Sequence, residues 1–283
     1  VIKAASNKTV NPILEGIKIT AEDDTLTLVA TDSELAIEKK IKADVKVEGE
    51  TVVPGKFFSE FVKKLANEQI ELDLNEKNQL KIKYTDSEVY IQCFNALEYP
   101  SIQKIDNAQF FTISQSNFKN LIDKTIFSVA LDDSRPILKG CLFEIEENQI
   151  TSVALDGFRL AKATYPIIEQ TARVSVIVPG RSLNEISKLL EDTEENIRVF
   201  IQRNYLMVQV DNTKIITRLI DGDFINYKQI INDQFSTIIT VNKAQFEDSL
   251  DRASILGRIS NDNIVKLVIT DNMLTLSASS EIG

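Results

Sequence analysis

VPGKFFSEFVKKL occupies residues 53–65, and VPGRSLNEISKLL occupies residues 178–190. Both open on Val-Pro-Gly, continue with a basic residue and share apolar residues at 58/183, 61/186 and 65/190; Pro54 and Pro179 stand 125 residues apart. Outward from this pair, NPILEGIKI (11–19) returns as RPILKGCLF (135–143), and VATDSELA (29–36) returns as VALDGFRLA (153–161). Pro12 to Pro136 and Asp32 to Asp156 are both 124 apart. One such match arises by chance; three in the same order and at the same spacing mean internal duplication. A third copy begins late. TISQSNFKNLIDKTIF (112–127) resembles TVNKAQFEDSLDRASIL (240–256), and Leu-Thr-Leu at 26–28 recurs at 274–276. The chain therefore reads as three tandem units, expected at 1–108, 109–235 and 236–283, the first without its start and the third without more than half its length. The opening VIKAAS reads as the last turn of a helix begun earlier, and SSEIG stops without a cap, so the chain is expected to be a piece cut at both ends.

Each unit mixes two periods. Residues 26–31, 69–73, 79–84, 88–94, 197–201, 205–210 and 214–219 alternate apolar and polar, as half-buried strands do. Turns rich in Asn and Glu, such as NEKN (75–78) and EEN (146–148), separate them and suit antiparallel hairpins. Over 55–65, Phe57, Phe58, Phe61, Val62 and Leu65 fall on one helical face, with Lys56, Ser59, Glu60, Lys63 and Lys64 on the rest. The copy places Leu183, Ile186, Leu189 and Leu190 inward and Arg181 and Lys188 outward. A second helix over 116–128 buries Phe118, Leu121, Ile122 and Thr125, exposes Lys119, Asn120, Asp123 and Lys124, and has Ser116 as its candidate cap. The expected fold class is α+β, with two helices on one side of antiparallel sheet in each unit.

The 283 residues are 43% hydrophobic and 26% charged, with 9 Gly and 6 Pro, a composition that fits several packed domains rather than disorder or a disulfide scaffold. Cys93 and Cys141 lie in alternating stretches and read as small buried residues in a reducing cytosol. There is no histidine, which removes Ser-His-Asp and Cys-His catalysis and the commonest metal ligand. Neither GxGxxG nor a P-loop is present. Asp156-Gly157 and Asp221-Gly222 read as turns rather than a carboxylate pair. No catalytic residue, metal site or cofactor is expected. The net charge of −10 opposes nucleic-acid binding unless the charges are segregated.

Taken together, NPILEGI (11–17), VVPGKFF (52–58), RPILKG (135–140), VALDGFRLA (153–161), IVPGRSL (177–183), RLIDGDFINY (218–227) and DRASIL (251–256) resemble the bacterial sliding clamps, the beta subunit of the replicative DNA polymerase. The resemblance covers essentially the whole chain. It implies tandem repeats of the DNA-clamp fold, with sheets outside and two helices per domain inside, in a head-to-tail homodimeric ring around duplex DNA. It implies a cytoplasmic, non-enzymatic processivity factor, with DNA polymerase, clamp loader and repair proteins as partners through short linear motifs. Expected DNA-binding residues are Lys56, Lys63, Lys64, Lys119, Lys124, Arg181, Lys188, Lys243 and Arg252 on helices, with Lys8 and Arg135 beside the repeated PIL motif. Acidic residues at 22–24, 191–192 and 194–195 are expected to face away.

The same resemblance implies a peptide pocket of Leu138, Leu155, Gly157, Phe158, Arg159, Leu160, Ile225, Gln229 and Ile230. Leu155, Phe158, Ile225 and Gln229 stand where the family often carries Thr, His, Pro and Arg, so a greasier pocket is expected. The family also pairs an edge strand of the first domain with one of the third, which implies a dimer interface at Val89 and Ile91 on one side and Ile255 and Leu256 on the other. Two other readings compete. A carboxylate enzyme would need Asp32, Asp156 or Asp221 at a perturbed pKa in a cleft. A peptide-binding repeat protein would ignore DNA.

Overall fold

The computed structural model describes residues 1–6, 10–65, 69–106, 108–132, 134–232, 234–259 and 264–279. They divide into two compact units, Val1–Ile225 and Asn226–Gly283.

The first unit holds two copies of one module. In the first copy, β1 (Gly16–Glu22), β2 (Thr25–Thr31), β3 (Leu35–Lys42) and β4 (Gly49–Pro54) lead into α1 (Gly55–Val62), followed by β5 (Ile70–Leu74), β6 (Gln79–Tyr84) and β7 (Ser87–Gln92). The second copy begins with β8 (Gln109–Ser114) and α2 (Gln115–Asp123). It then repeats the series as β9 (Gly140–Glu146), β10 (Gln149–Leu155) and β11 (Leu160–Pro166), the two-residue β12 (Glu169–Gln170), and β13 (Val174–Pro179). α3 (Gly180–Leu189), β14 (Asn196–Gln202), β15 (Tyr205–Val210) and β16 (Thr213–Arg218) complete it.

All pairings are antiparallel. One nine-stranded sheet runs β12-β8-β14-β15-β16-β3-β2-β1-β4; a second runs β11-β10-β9-β13; a third is β5-β6-β7. The large sheet joins the copies, because β16 of the second zips onto β3 of the first from Thr213↔Lys39 to Thr217↔Leu35. α2 packs against β8 of the large sheet and against β10 and β11 of the four-stranded sheet. α2 thus touches both of these antiparallel sheets, in keeping with the expected α+β class.

The repeated motifs recur together because they meet. Pro54 lies opposite Gly16, and Pro179 opposite Gly140. A Cβ on Gly55 would stand 2.6 Å from the Glu15 carbonyl, so only glycine lets the helix start this close to the PILEG turn. The turns match the sequence signals. Glu147 and Asn148 take φ 50° and 60° between β9 and β10, and Asn75 Oδ1 accepts from Lys77 N and Gln79 N at 3.0 Å each.

The core runs through Ile17, Phe58, Ile82, Phe111, Phe118, Phe143, Ile150, Leu183 and Val208. Phe118 meets Phe111 and Phe143 edge-on at 6.0 and 6.1 Å, a geometry aromatic quadrupoles favour. Two helix expectations are corrected. Phe57 and Val62 of α1 are exposed rather than inward, Phe57 stacking on Phe61 at 6.1 Å. The cap of α2 is Ser114, whose Oγ accepts from Asn117 N; Ser116 lies inside the helix and donates to Glu194 instead. The α2 helix also ends at Asp123, with a separate 3-10 turn at Ile126–Ser128, because Thr125 Oγ1 bonds back to the Leu121 carbonyl at 2.9 Å. Cys93 and Cys141 are free and buried, and burial pushes the Cys141 thiol up to about 12.

The second unit holds a 3-10 turn (Tyr227–Gln229), α4 (Lys243–Ile259) and an antiparallel hairpin of β17 (Lys266–Thr270) and β18 (Met273–Ser277), on which α4 packs. Asn242 Oδ1 accepts from Gln245 N at 3.2 Å and so caps α4. No described helix is long and apolar enough to cross a membrane.

Candidate functional site

The basic residues expected on the helices fall into two groups. Lys56, Lys63 and Lys64 of the first copy are exposed, and none makes an ion pair among the described residues. Lys243 and Arg252 are exposed on α4, Arg252 donating to Ser249 within its own helix. Arg135 is exposed ahead of the 3-10 turn Pro136–Lys139. Lys8 lies outside the described residues.

In the second copy the charges are engaged. Lys119 is half-buried, not exposed: its Nζ donates to the Ser187 carbonyl at 2.7 Å and the Leu190 carbonyl at 3.1 Å. Those carbonyls are the open end of α3, where orphan acceptors and the negative end of the helix dipole attract a cation. Beside it, Ser187 Oγ donates to Asp123 at 2.5 Å, so α2 and α3 are tied twice. Lys124 donates to Tyr165 Oη at 2.6 Å and stands 5.2 Å over its ring. Lys188 pairs with Glu185 at 2.7 Å. Arg181 reaches out of its own copy: it pairs with Asp32 and donates to the Lys3 carbonyl.

The acidic residues at 191–195 do not simply face away. Ser116 and Gln115 donate to Glu194 and Glu195 at 2.8 and 3.1 Å, and the Gln115 and Ser116 amides donate to the Glu195 and Thr193 carbonyls. The loop lies at the N-terminus of α2, where anions are stabilised.

The pocket residues of the first unit gather about one turn. Leu155 ends β10 and lies opposite Leu160, which opens β11. Between them Asp156 Oδ1 accepts from Phe158 N and Arg159 N at 3.0 and 3.1 Å, while its Oδ2 holds Arg159 Nε at 2.9 Å. The Phe158 amide, aided by Arg159, keeps the Asp156 carboxyl below its ordinary range, the opposite of what a general acid needs. Gly157 has φ +93°, a conformation that glycine tolerates. Phe158 is 99% exposed, and the Arg159 guanidinium also stands 5.9 Å over the Phe127 ring. Leu138 and Leu155 are buried, at 2% and 4% exposure, so neither offers an open wall. Ile225 is half-buried, and in the second unit Gln229 and Ile230 are exposed.

At the expected interface Ile91 is buried in its own copy, 5% exposed, and Val89 is half-buried; both lie on β7, the outer strand of its sheet. Ile255 and Leu256 lie on α4 rather than on an edge strand, with Ile255 58% exposed. The reason is that residues 243–259 carry no period of two.

Residue-pattern reasoning missed Tyr99. Its ring is 7% exposed, and its hydroxyl accepts from Thr31 N at 3.1 Å and donates to the Gly16 carbonyl at 3.4 Å. Burial pushes its pKa up to about 12. It packs with Ile13, Val52 and Ala96. No motif marks it. Among the described residues no group of three or more His, Cys, Asp or Glu is placed to hold a metal.

Tandem sheet-and-helix modules joined through a shared sheet, with lysines on exposed helix faces and no catalytic constellation among the described residues, define a sliding clamp. The model for the DNA polymerase III beta subunit, N-terminal domain, matches residues 1–103, and that for the central domain matches residues 112–226. A beta sliding clamp of Staphylococcus epidermidis is 32% identical over 291 residues, covering 100% of this chain and 77% of the relative. The crystal structure of the DNA polymerase sliding clamp from Bacillus subtilis superposes with a TM-score of 0.94 at 33% identity, over 100% of this chain and 77% of that one. The DNA polymerase III beta chain from Streptococcus pneumoniae does so with a TM-score of 0.91 at 26% identity, over 99% and 76%. The chain belongs to the DNA polymerase III beta subunit family. Its role is that of a processivity clamp, an accessory factor rather than an enzyme.

Proposed function

We propose that this chain serves its clamp role as three modules, 1–108, 109–235 and 236–283, within a head-to-tail homodimeric ring in the cytoplasm. The carrying observation is the joint between the first two copies. β16 of one copy pairs with β3 of the preceding copy. β7 is the counterpart of β16, and β11 the counterpart of β3; each is the outer strand of its own sheet. A module whose two ends are self-complementary in this way propagates with constant rotation, and such a contact closes into a ring when the rotation divides the circle. Val89 of β7 and Ile255 and Leu256 of α4 are the residues we assign to ring closure, with Ile91 supporting β7 from within.

Duplex DNA is held without sequence choice by Lys56, Lys63, Lys64, Lys124, Lys188, Arg135, Lys243 and Arg252, and we assign the same role to Lys8, which lies outside the described residues. Exposed lysines on flexible stems attract phosphate weakly and let the ring slide. Lys119 supports this wall by holding α2 to α3. Short hydrophobic peptide motifs of the polymerase, clamp loader and repair proteins dock at the turn of Gly157, Phe158, Arg159 and Leu160, over the base formed by Leu138 and Leu155 and with Ile225 of the same unit; Gln229 and Ile230 are residues of the second unit that we also assign to peptide binding. The exposed Phe158 ring and the oriented Arg159 support this reading.

The test is topological. After loading onto nicked circular duplex, the protein is expected to persist on the circle and to leave rapidly once the DNA is linearised. Equal lifetimes on the two forms exclude the ring.

A further inference from the structure

We propose that Asp32 and Arg181 form a latch across the joint of the first two modules, and that Arg181 is a positioning residue for this joint rather than a phosphate contact. The assignment does not depend on which helices face DNA.

The carboxylate is aimed before it meets its partner. Asp32 Oδ1 accepts from Glu34 N at 3.0 Å and from Leu35 N at 2.8 Å, and Asp32 N donates to the Leu35 carbonyl at 3.2 Å. These bonds close the turn before β3 and leave Oδ2 outward. Arg181, at the start of α3 in the other module, places Nη1 on that oxygen and Nη2 on the Lys3 carbonyl at 3.2 Å. One guanidinium thus bridges residues 3 and 32 of the first module. A planar fork with fixed donors does this; an ammonium on a flexible stem does not hold the same geometry.

The latch adjoins the strand seam. Arg218 N of β16 donates to the Glu34 carbonyl at 2.8 Å, inside the same turn that Asp32 closes. Ser182, next to Arg181, shares a buried 2.6 Å bond with Thr217 Oγ1 of β16. The start of α3 is therefore bonded to its own module through Ser182 and to the preceding module through Arg181. Farther along the seam Lys214 and Glu38 pair at 3.3 Å. The guanidinium charge is already met by Asp32, whose side chain is 12% exposed, so a phosphate would have to displace a carboxylate held by two backbone amides.

The second module provides an internal control. Asp156 uses Oδ1 in the same way in a turn of the same length, its N donating to the Arg159 carbonyl at 3.3 Å, but its Oδ2 is taken by Arg159, which stands where the first turn has Leu35. Lys56, the positional counterpart of Arg181, is exposed and makes no ion pair among the described residues. The motif is shared by both copies, whereas the latch belongs to this joint.

The experiment compares Asp32→Asn, Arg181→Met, the double variant and Arg181→Lys in the full chain. Three measurements are made: denaturant unfolding, amide exchange of Thr213–Arg218 against Tyr205–Val210, and duplex affinity across a salt series. Each single variant is expected to lower the folded-to-unfolded ratio by about fivefold, the pair being part-exposed. The double variant should lose no more than either single, and exchange should quicken at the seam before it does in β15. Arg181→Lys should fail to restore the joint, and the salt slope should stay unchanged. Additive losses overturn the latch. So does a salt slope made shallower by about 0.9 in Arg181→Met and restored by lysine, the signature of one released counterion at a phosphate.

Discussion

The turns at 32–35 and 156–159 descend from one motif and end in opposite states. The first is roofed. Leu35 is 1% exposed, its strand is paired on both sides by β2 and β16, and the Asp32 carboxylate holds a guanidinium from the other module. The second stands open. Leu160 is half-buried, β11 is an outer strand, Phe158 is 99% exposed, and Asp156 is satisfied by its own Arg159. The difference teaches that the motif encodes a joint rather than a finished surface. Its Asp organises the turn in both places, and the next strand decides whether the apolar residues behind it become core or contact surface. An exposed copy of this turn suits a peptide partner, because apolar surface is already present there.

The comparison is broken most directly by emptying both leucine positions. Leu35→Ala should cost about 2–5 kcal/mol by denaturant unfolding, as buried Leu-to-Ala changes do. Leu160→Ala should cost on the order of 1 kcal/mol, since less apolar area is lost. Equal costs would mean that the two turns do not differ in packing. Tyr99→Phe leaves the buried Thr31 amide without its acceptor and should cost about 1–3 kcal/mol. The wild-type chain should also show a pH signature there. With the folded phenol held up to about 12, the unfolded chain loses the proton first, so stability is complete below pH of about 10 and falls as pH rises towards 12. This fall should shrink in Tyr99→Phe, and an unaltered alkaline limb would remove Tyr99 from the account.

Lys119→Met strips two carbonyls at the end of α3 of their donor and should cost about 1–2 kcal/mol, whereas Lys64→Met should stay within about 0.5 kcal/mol. If both behave alike in thermal unfolding, Lys119 is not a helix tie. Phe158→Ala should be the mildest, within about 0.5 kcal/mol of wild type, yet it should weaken capture of a short hydrophobic peptide measured by fluorescence anisotropy. A stability loss as large as that of Leu35→Ala would show that Phe158 is core.

Much of this was legible in the residues. The duplications at 11–19, 29–36 and 53–65 announced the repeated module, and the alternation at 79–84 and 205–210 located β6 and β15 residue for residue. Period and spacing are local properties, and local propensity and burial pattern act on the same residues that display them. The roles of the charged side chains were less legible. Lys119 and Lys124 share one exposed-looking helix pattern, but Lys119 faces the end of α3, which pattern alone does not place. Ser114 rather than Ser116 caps α2 because β8 runs to Ser114 and the helix starts at Gln115, one residue before the expected 116. Ile91 and Val89 alternate as any strand does, and burial on one side became visible only with the neighbouring elements in place.

The sequence by itself determined the repeated module and its turns, since each follows from short-range stereochemistry and from where apolar residues repeat. Only the tertiary structure decided which copy of a turn is covered, which cation meets which carboxylate and where one module hands its sheet to the next. Those outcomes depend on contacts between residues more than a hundred positions apart, such as Asp32 and Arg181, and no local pattern carries the geometry that brings them together.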